Sequence, residues 1–425
     1  MTLNRTIAPA VRPFAPMSMP AETVEHLANG VTFHRYIGGD QPVCRLTLHF
    51  AGGISEMGEA ATKLLLNQLT EGTATRSADD IAEAIDYNGA RFATQAQTHF
   101  SVTDLFVLTS RMADMLPVLM DMISSPVFPE ERLEVSRLRL KNALQTARRD
   151  PSAVADLALS PLMLGRDNPL AHVMTEDDID NVSPSTLKAC HRRLVCPARM
   201  HAYLSGLADD DVIAAVRRFL ESIPTLGDGY AMELHPAHPE PAGTLVTSPM
   251  VSTYQCAISC GIPTIGRQHP DYVPLRFAVM ALGGYFGSRL MSNIREDKGL
   301  TYGISAAVLG GQDEAHVYVG TLTDNGNADI VIDEIRRELA DMAVNPPSGE
   351  ELERFRTYAM TGLAELLDNP ASVVQYYGSQ NLVGAPADYF ECQQRVLQSL
   401  TPDEIARVSR LYLDPEALRL SLARP

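Results

Sequence analysis

This sequence predicts an α+β fold of two tandem, homologous α/β sandwich domains, each a mixed sheet with helices on one face. Three observations carry the prediction. The chain has 425 residues, more than one hydrophobic core ordinarily organises, so two large domains are expected. It repeats itself: Pro129 to Val154 aligns without a gap on Ser348 to Val373. The copies share Leu133/Leu352, Glu134/Glu353, Leu144/Leu363, Pro151/Pro370 and Val154/Val373 at an offset of 219 residues. Upstream of each copy an isoleucine leads through polar residues to a glycine, Ile85 to Gly89 and Ile294 to Gly299, and then to an alternating run. The two glycines are 210 apart. Two matches in the same order at nearly the same separation mark a duplicated unit of about 200 residues.

The N-terminal MTLNRTIAPAVRPFAPMSMP is Pro-rich with two arginines and no continuous apolar stretch, and is expected as an extended arm, not a secretory signal. Residues 31–37 and 43–50 read as strands joined by the turn GGDQ, since β-branched and aromatic residues recur on either side of Gly and Asp. Leu64 to Leu69 is apolar on more than one face, which predicts a helix buried between layers. Ser77 caps the next helix, with Asp79 and Asp80 in its first turn and Asn88-Gly89 at its end. A strand pair over 90–97 and 99–109 and a helix over 112–123 follow. The Pro/Gly/His-rich stretch from Ile223 to Thr244 is rich in turn formers. It places a linker at 226–244 between domains at 1–225 and 245–425.

Hydrophobic residues make up 45% and charged residues 20% of the chain, and no apolar run approaches the ~18 residues of a membrane span. The net charge of −17 repels phosphate backbones and anionic lipid, so neither nucleic acid nor a membrane is an expected partner. Cys44, Cys190, Cys196, Cys256, Cys260 and Cys392 are dispersed without CxxC pairs, as suits buried thiols in a reducing compartment. A cytoplasmic chain is therefore the expectation, although a mature, processed chain would read the same way. Cys256 and Cys260 would share one face of a strand. Cys190, His191 and Cys196 lie in a helical stretch with no fourth ligand, which favours a structural role over a metal. No GxSxG elbow occurs, which argues against a serine hydrolase of that kind.

The most specific segment is LGGYFGSRLMSNIREDKGLTYGISA, Leu282 to Ala306. Gly283 and Gly284, Ser288-Arg289-Leu290, Arg295-Glu296, Lys298-Gly299-Leu300 and Tyr302 resemble the C-terminal-domain signature of the insulinase/pitrilysin-type zinc metallopeptidases in order and spacing. Weaker similarity covers nearly the whole chain, including FAGG near residue 50 and EGT at Glu71 to Thr73. The resemblance implies half of a clam-shell, closed by a second subunit. In that family an HxxEH helix just before the EGT-like turn, plus a glutamate about 75 residues on, holds zinc, with the motif's Glu as general base on the bound water. Counting back from Gly72, this chain has Lys63, Leu66 and Asn67 in the three places, and Asn142 to Leu144 near the fourth. A cation, an aliphatic and an amide are not zinc ligands, so no cofactor is expected in this chain.

Arg295 and Tyr302 remain. In two-subunit members the resemblance assigns such a pair to the chain without the motif, reaching across to the zinc of an HxxEH-bearing partner. Tyr302 would donate to an oxyanion and Arg295 would grip an extended peptide substrate. Gly283, Gly284 and Ser288 would line the substrate path, and Arg289 would bridge to a carboxylate of its own domain. Gly299 would end the helix carrying Arg295 and start the strand carrying Tyr302. The plainer reading makes the two a structural pair, Arg295 salt-bridged and Tyr302 half buried. The loop here, GGYFGS, is shorter than that of the α subunit of the mitochondrial processing peptidase, so the likeness is to bacterial paired subunits. Two functions are expected to compete: the non-zinc subunit of a heterodimeric peptidase, inactive alone, and an inactive peptide-binding or scaffold homo-oligomer.

Overall fold

The computed structural model describes residues 14–232, 235–251, 254–310 and 314–425. The first thirteen residues of the expected arm and Glu233-Leu234 of the expected linker lie outside them. The first half holds strands β1 (Thr23–His26), β2 (Thr32–Ile37), β3 (Val43–Ala51), β4 (Arg91–Ala96), β5 (Phe100–Leu108) and β6 (Met200–Gly206). Its helices are α1 (Ile54–Met57), α2 (Glu59–Gln68), α3 (Ala78–Tyr87), α4 (Met112–Ser124), α5 (Glu130–Ala147), α6 (Pro151–Leu164), α7 (Glu176–Asp180), α8 (Pro184–Leu194) and α9 (Asp210–Ser222). The second half holds β7 (Leu245–Pro249), β8 (Gln255–Ile265), β9 (Thr301–Gly310), β10 (Glu314–Asp324) and β11 (Arg419–Arg424). With them come α10 (Tyr272–Gly283), α11 (Ala328–Val344), α12 (Gly349–Glu365), α13 (Pro370–Leu382), α14 (Tyr389–Ser399) and α15 (Pro402–Tyr412).

The sheets run β1-β2-β6-β3-β5-β4 and β7-β11-β8-β10-β9. Apart from β1, the second order copies the first strand for strand. Each sheet has one parallel pair, β2 with β6 and β7 with β11, and is otherwise antiparallel. The duplication read from the sequence is thus a duplication of topology, and the fold is two tandem α+β sandwiches. The expected strands appear as β2 to β5 within two residues of their predicted ends. Ser77 caps α3 as expected, its hydroxyl accepting from the Asp80 amide at 3.1 Å. The predicted buried helix at 64–69 is the end of a longer one, since α2 begins at Glu59 after Gly58. Cys256 and Cys260 both face the second core, and His191 donates to the Ile123 carbonyl at 2.7 Å. Among the described residues no helix is long and apolar enough to cross a membrane.

Each half's own helices cover one face of its sheet. Alternating residues such as Phe33, Leu46, Leu48, Leu105 and Leu204 point into the first core, and Ile258, Ile262, Val317, Val319 and Leu422 into the second. The opposite faces receive one helix each from the other half. Helix α6 is apolar around most of its circumference and must be buried on more than one side. It lies across β7, β11, β8 and β10 of the second sheet, where Ala155 packs with Met250, Ala257 and Ala423. Its one acid, Asp156, accepts hydrogen bonds from Ser259 at 2.6 Å and Tyr318 at 2.7 Å. Helix α13 crosses in return onto β2 and β6, with Val373 and Val374 against Tyr36 and Tyr203. Gly378 lets it approach so closely that a β-carbon there would lie 3.2 Å from the His49 ring. Beneath it, His34 Nε2 is 3.0 Å from His201 Nδ1, and the Tyr203 ring stacks on His34.

The described part of the arm also ties the halves together. The Met17 amide donates to Gln394 of α14 at 2.8 Å, and the Gln394 amide returns a bond to the Met17 carbonyl at 3.0 Å, before the chain enters β1.

Candidate functional site

In the first half, α2 places the three motif positions differently. Leu66 is buried at 3% exposure, Asn67 is exposed, and Lys63 is half-buried with its ammonium 2.5 Å from Glu59 one turn earlier. On α5, Asn142 and Ala143 are exposed and Leu144 is buried. Among the described residues no group of three or more His, Cys, Asp or Glu is placed to hold a metal ion. Zinc needs three or four N, S or O donors converging on one point. Lys63 is committed to a carboxylate and Leu66 offers no donor, so these residues do not fit a zinc ion.

In the second half, α10 ends at Gly283, and the chain passes through Gly284 to Gly287 into a helical turn at Arg289. It continues as a π-helical turn over Met291–Asp297. A π turn carries an extra residue, shifts the facing of the side chains after it and is common at functional sites. Gly299, at φ +62°, closes it: its amide reaches the Arg295 carbonyl at 3.1 Å, and that of Leu300 reaches the Ile294 carbonyl at 2.9 Å. Strand β9 starts at Thr301, as the sequence predicted for this glycine.

Among the cations and the amide side chain of this segment, Arg289, Asn293 and Lys298 are tied into their own half. Arg289 makes two bonds to Glu351, at 2.8 and 3.1 Å, and one to Asp341 at 3.2 Å. Asn293 donates to Glu334 at 3.0 Å and Glu338 at 2.7 Å. Lys298 lies 2.5 Å from Glu334, and that bond holds the Glu334 carboxyl below its ordinary pKa. Burial pushes the Glu338 carboxyl up. Arg295 differs. Its guanidinium lies 4.8 Å from the centre of the Phe286 ring, and it makes no ion pair among the described residues. A cation on an aromatic face keeps its charge available.

Tyr302 is 92% exposed on β9, the edge of the second sheet. The β9–β10 ladder slips there: Ile304 faces Thr321 and Thr301 faces Thr323, so Tyr302 and Gly303 together face Leu322. Such a β-bulge re-aims a side chain, and Tyr302 therefore points to solvent although Ile304 and Ala306 point into the core. The plainer expectation, a salt-bridged Arg295 and a half-buried Tyr302, does not describe this geometry. The three proposed path-lining residues separate. Gly284 is exposed. Gly283 is buried where a β-carbon would meet Ala306 at 2.6 Å. Ser288 is 1% exposed, its hydroxyl without a hydrogen-bond partner among the described residues. Gly283 and Ser288 thus pack the segment and do not face a substrate path.

Sequence reasoning missed Phe286, the bulge and the Glu334 hub. A signal for the bulge existed, because an isolated glycine inside a strand, here Gly303, marks one. Nothing in the sequence marked Phe286 as the partner of Arg295.

Residues 181–358 match the family described as "Peptidase M16 inactive domain". An uncharacterized zinc protease of Streptomyces coelicolor is 24% identical over 362 residues, 82% of this chain and 77% of that protein. A Helicobacter pylori protein named as a non-peptidase homolog is 24% identical over 270 residues, 62% of this chain and 61% of its own length. The crystal structure of a peptidase M16 inactive domain from Pseudomonas fluorescens superposes with a TM-score of 0.86 at 23% identity, covering 96% of this chain and 98% of that one. That likeness is one of fold.

Proposed function

This chain is an M16-family peptidase-like protein, and from that premise we propose that it is the subunit of a two-chain zinc peptidase that carries no metal itself. In this reading it closes a chamber over an HxxEH-bearing partner. The zinc held by that partner would activate the attacking water. An extended peptide would add as a strand to the open edge of β9, its main chain supplying affinity. Arg295 would leave Phe286 to hold a substrate carbonyl or carboxylate, and Tyr302 would donate its hydroxyl proton to the oxyanion formed as water attacks the peptide carbonyl.

One observation carries the reading. In a segment where Arg289 and Lys298 are both paired, Arg295 is left without a carboxylate among the described residues, and seven residues on a bulge holds Tyr302 92% exposed. A structural pair would be arranged the other way round. The test is recovery of the tagged chain from its native cell, with mass spectrometry and zinc analysis of what accompanies it. A similar-sized HxxEH chain with about one zinc per pair is expected. In the reconstituted pair, Arg295→Ala and Tyr302→Phe should each lower turnover by at least about tenfold, a floor set beneath the ~10²–10³-fold loss that follows removal of an oxyanion donor. Unchanged turnover removes both residues from the site.

A second reading, an inactive peptide-binding or scaffold homo-oligomer of the same fold, has one observation in its favour: the Helicobacter relative is named a non-peptidase. Recovery of the chain as a metal-free homo-oligomer would select it.

A further inference from the structure

We infer that Thr301 and Thr321 are positioning residues for Tyr302, locking the bulge that presents it. The inference rests on the role given to Tyr302 above. A bulge breaks the ladder and leaves backbone groups of the extra residue without strand partners, and such groups are satisfied by side chains or water. Here two hydroxyls replace the ladder at Gly303. Its amide donates to Thr301 Oγ1 at 3.1 Å, and its carbonyl accepts from Thr321 Oγ1 at 2.8 Å. The Thr301 hydroxyl has two carbonyls within reach of its own proton, that of Leu322, the residue that faces the bulge, at 2.7 Å and that of Gly303 at 2.9 Å, and the two hydroxyls lie 2.9 Å apart.

The circuit is closed: each hydroxyl has one proton, and each proton has a carbonyl to reach. Thr321 is 8% exposed, so little water is available to replace its hydroxyl if it is lost. Thr323 stitches the entry to the strand separately, donating to the Leu300 carbonyl at 2.6 Å. Among the described residues the Tyr302 side chain makes no hydrogen bond or ring contact, so its direction is set by the backbone beneath it. The lock fixes the base of a side chain that is 92% exposed, as a group waiting for a substrate requires.

The test uses the full chain with 3-fluorotyrosine at position 302 and the isosteric Thr301→Val and Thr321→Val variants. The native chain is expected to give one narrow fluorine resonance, and each variant a broadened or split one, with Thr321→Ser restoring the narrow line. In the reconstituted pair the same valine variants should lower kcat by about tenfold at unchanged KM, less than the ~10²-fold or greater loss from removing such a donor, with Thr321→Ser again restoring it. An unchanged fluorine line in Thr321→Val overturns the lock. A changed line with unchanged kcat overturns the positioning role. In that case Tyr302→Phe distinguishes the causes: if it also leaves turnover intact, the fault lies in the role given to Tyr302, and if it does not, in the threonines.

Discussion

Gly283 and Gly299 both belong to the segment that carries the candidate site, and each is a glycine for a different reason. At Gly283 the helix α10 runs against β9, and an added β-carbon would lie 2.6 Å from Ala306 Cβ and 2.9 Å from Leu290 Cδ1. Gly283→Ala forces backbone apart in a close-packed region, and a loss of about 1–3 kcal/mol is expected, read as a lower thermal midpoint. Gly299 has open space around it and a left-handed φ of +62°; alanine there is expected to cost about 1–2 kcal/mol from backbone strain alone. The two substitutions also act at different places, the first on the core and the second on the turn between Arg295 and Tyr302. Arg295 and Tyr302 were legible because a signature preserves order and spacing. The burial of Ser288 and Gly283 was not, because spacing does not say which side of an irregular loop faces inward. Lys63, Leu66 and Asn67 were legible as a position without ligands, but the Glu59 partner of Lys63 appears only once α2 is seen to begin at Glu59.

Helix α13 rests on a histidine-lined seat, which gives the docking of that element a pH dependence. Burial first, and then the neighbouring His201, His34 and Arg45, hold the His49 pKa down at about 3. Burial and His34 hold that of His201 down to about 4, against an opposing pull from Glu22. In the unfolded chain both titrate near their ordinary ~6.5. Stability is therefore full above that value and falls as pH drops towards 4 and then 3, because the unfolded state takes up protons that the folded state refuses. Denaturant midpoints measured from pH 7.5 to 4.5 should decline, by up to ~1.4 kcal/mol per unit for each histidine, and His49→Leu should flatten the decline. The strands and the duplication were readable from alternation and from the fixed offset of 219 residues. The exchange of α6 and α13 was not. Periodicity shows that α6 is apolar nearly all round, but it does not name the sheet that covers it.

On the scale of the whole molecule, the exchanged helices make each half incomplete without the other. Helix α6 belongs to the first half by sequence and to the second by packing, α13 the reverse, and the arm adds the paired bonds between Met17 and Gln394. Cutting the chain within 235–244, by a protease site engineered there, is expected to leave both fragments bound in one particle by size-exclusion chromatography and native mass spectrometry. Separation into two fragments would mean that the connection, not the exchange, holds the halves. Strand β9 has a further consequence for the molecule in bulk. Its ten residues, TYGISAAVLG, contain no charge and no proline, two of the devices by which edge strands discourage self-pairing, and its bulge lies only at the start, before Ile304. The opening that would admit a peptide is equally an opening for the same strand of another copy. A preparation of this chain kept apart from anything that covers β9 should therefore drift towards aggregates as its concentration rises, despite a net charge of −17.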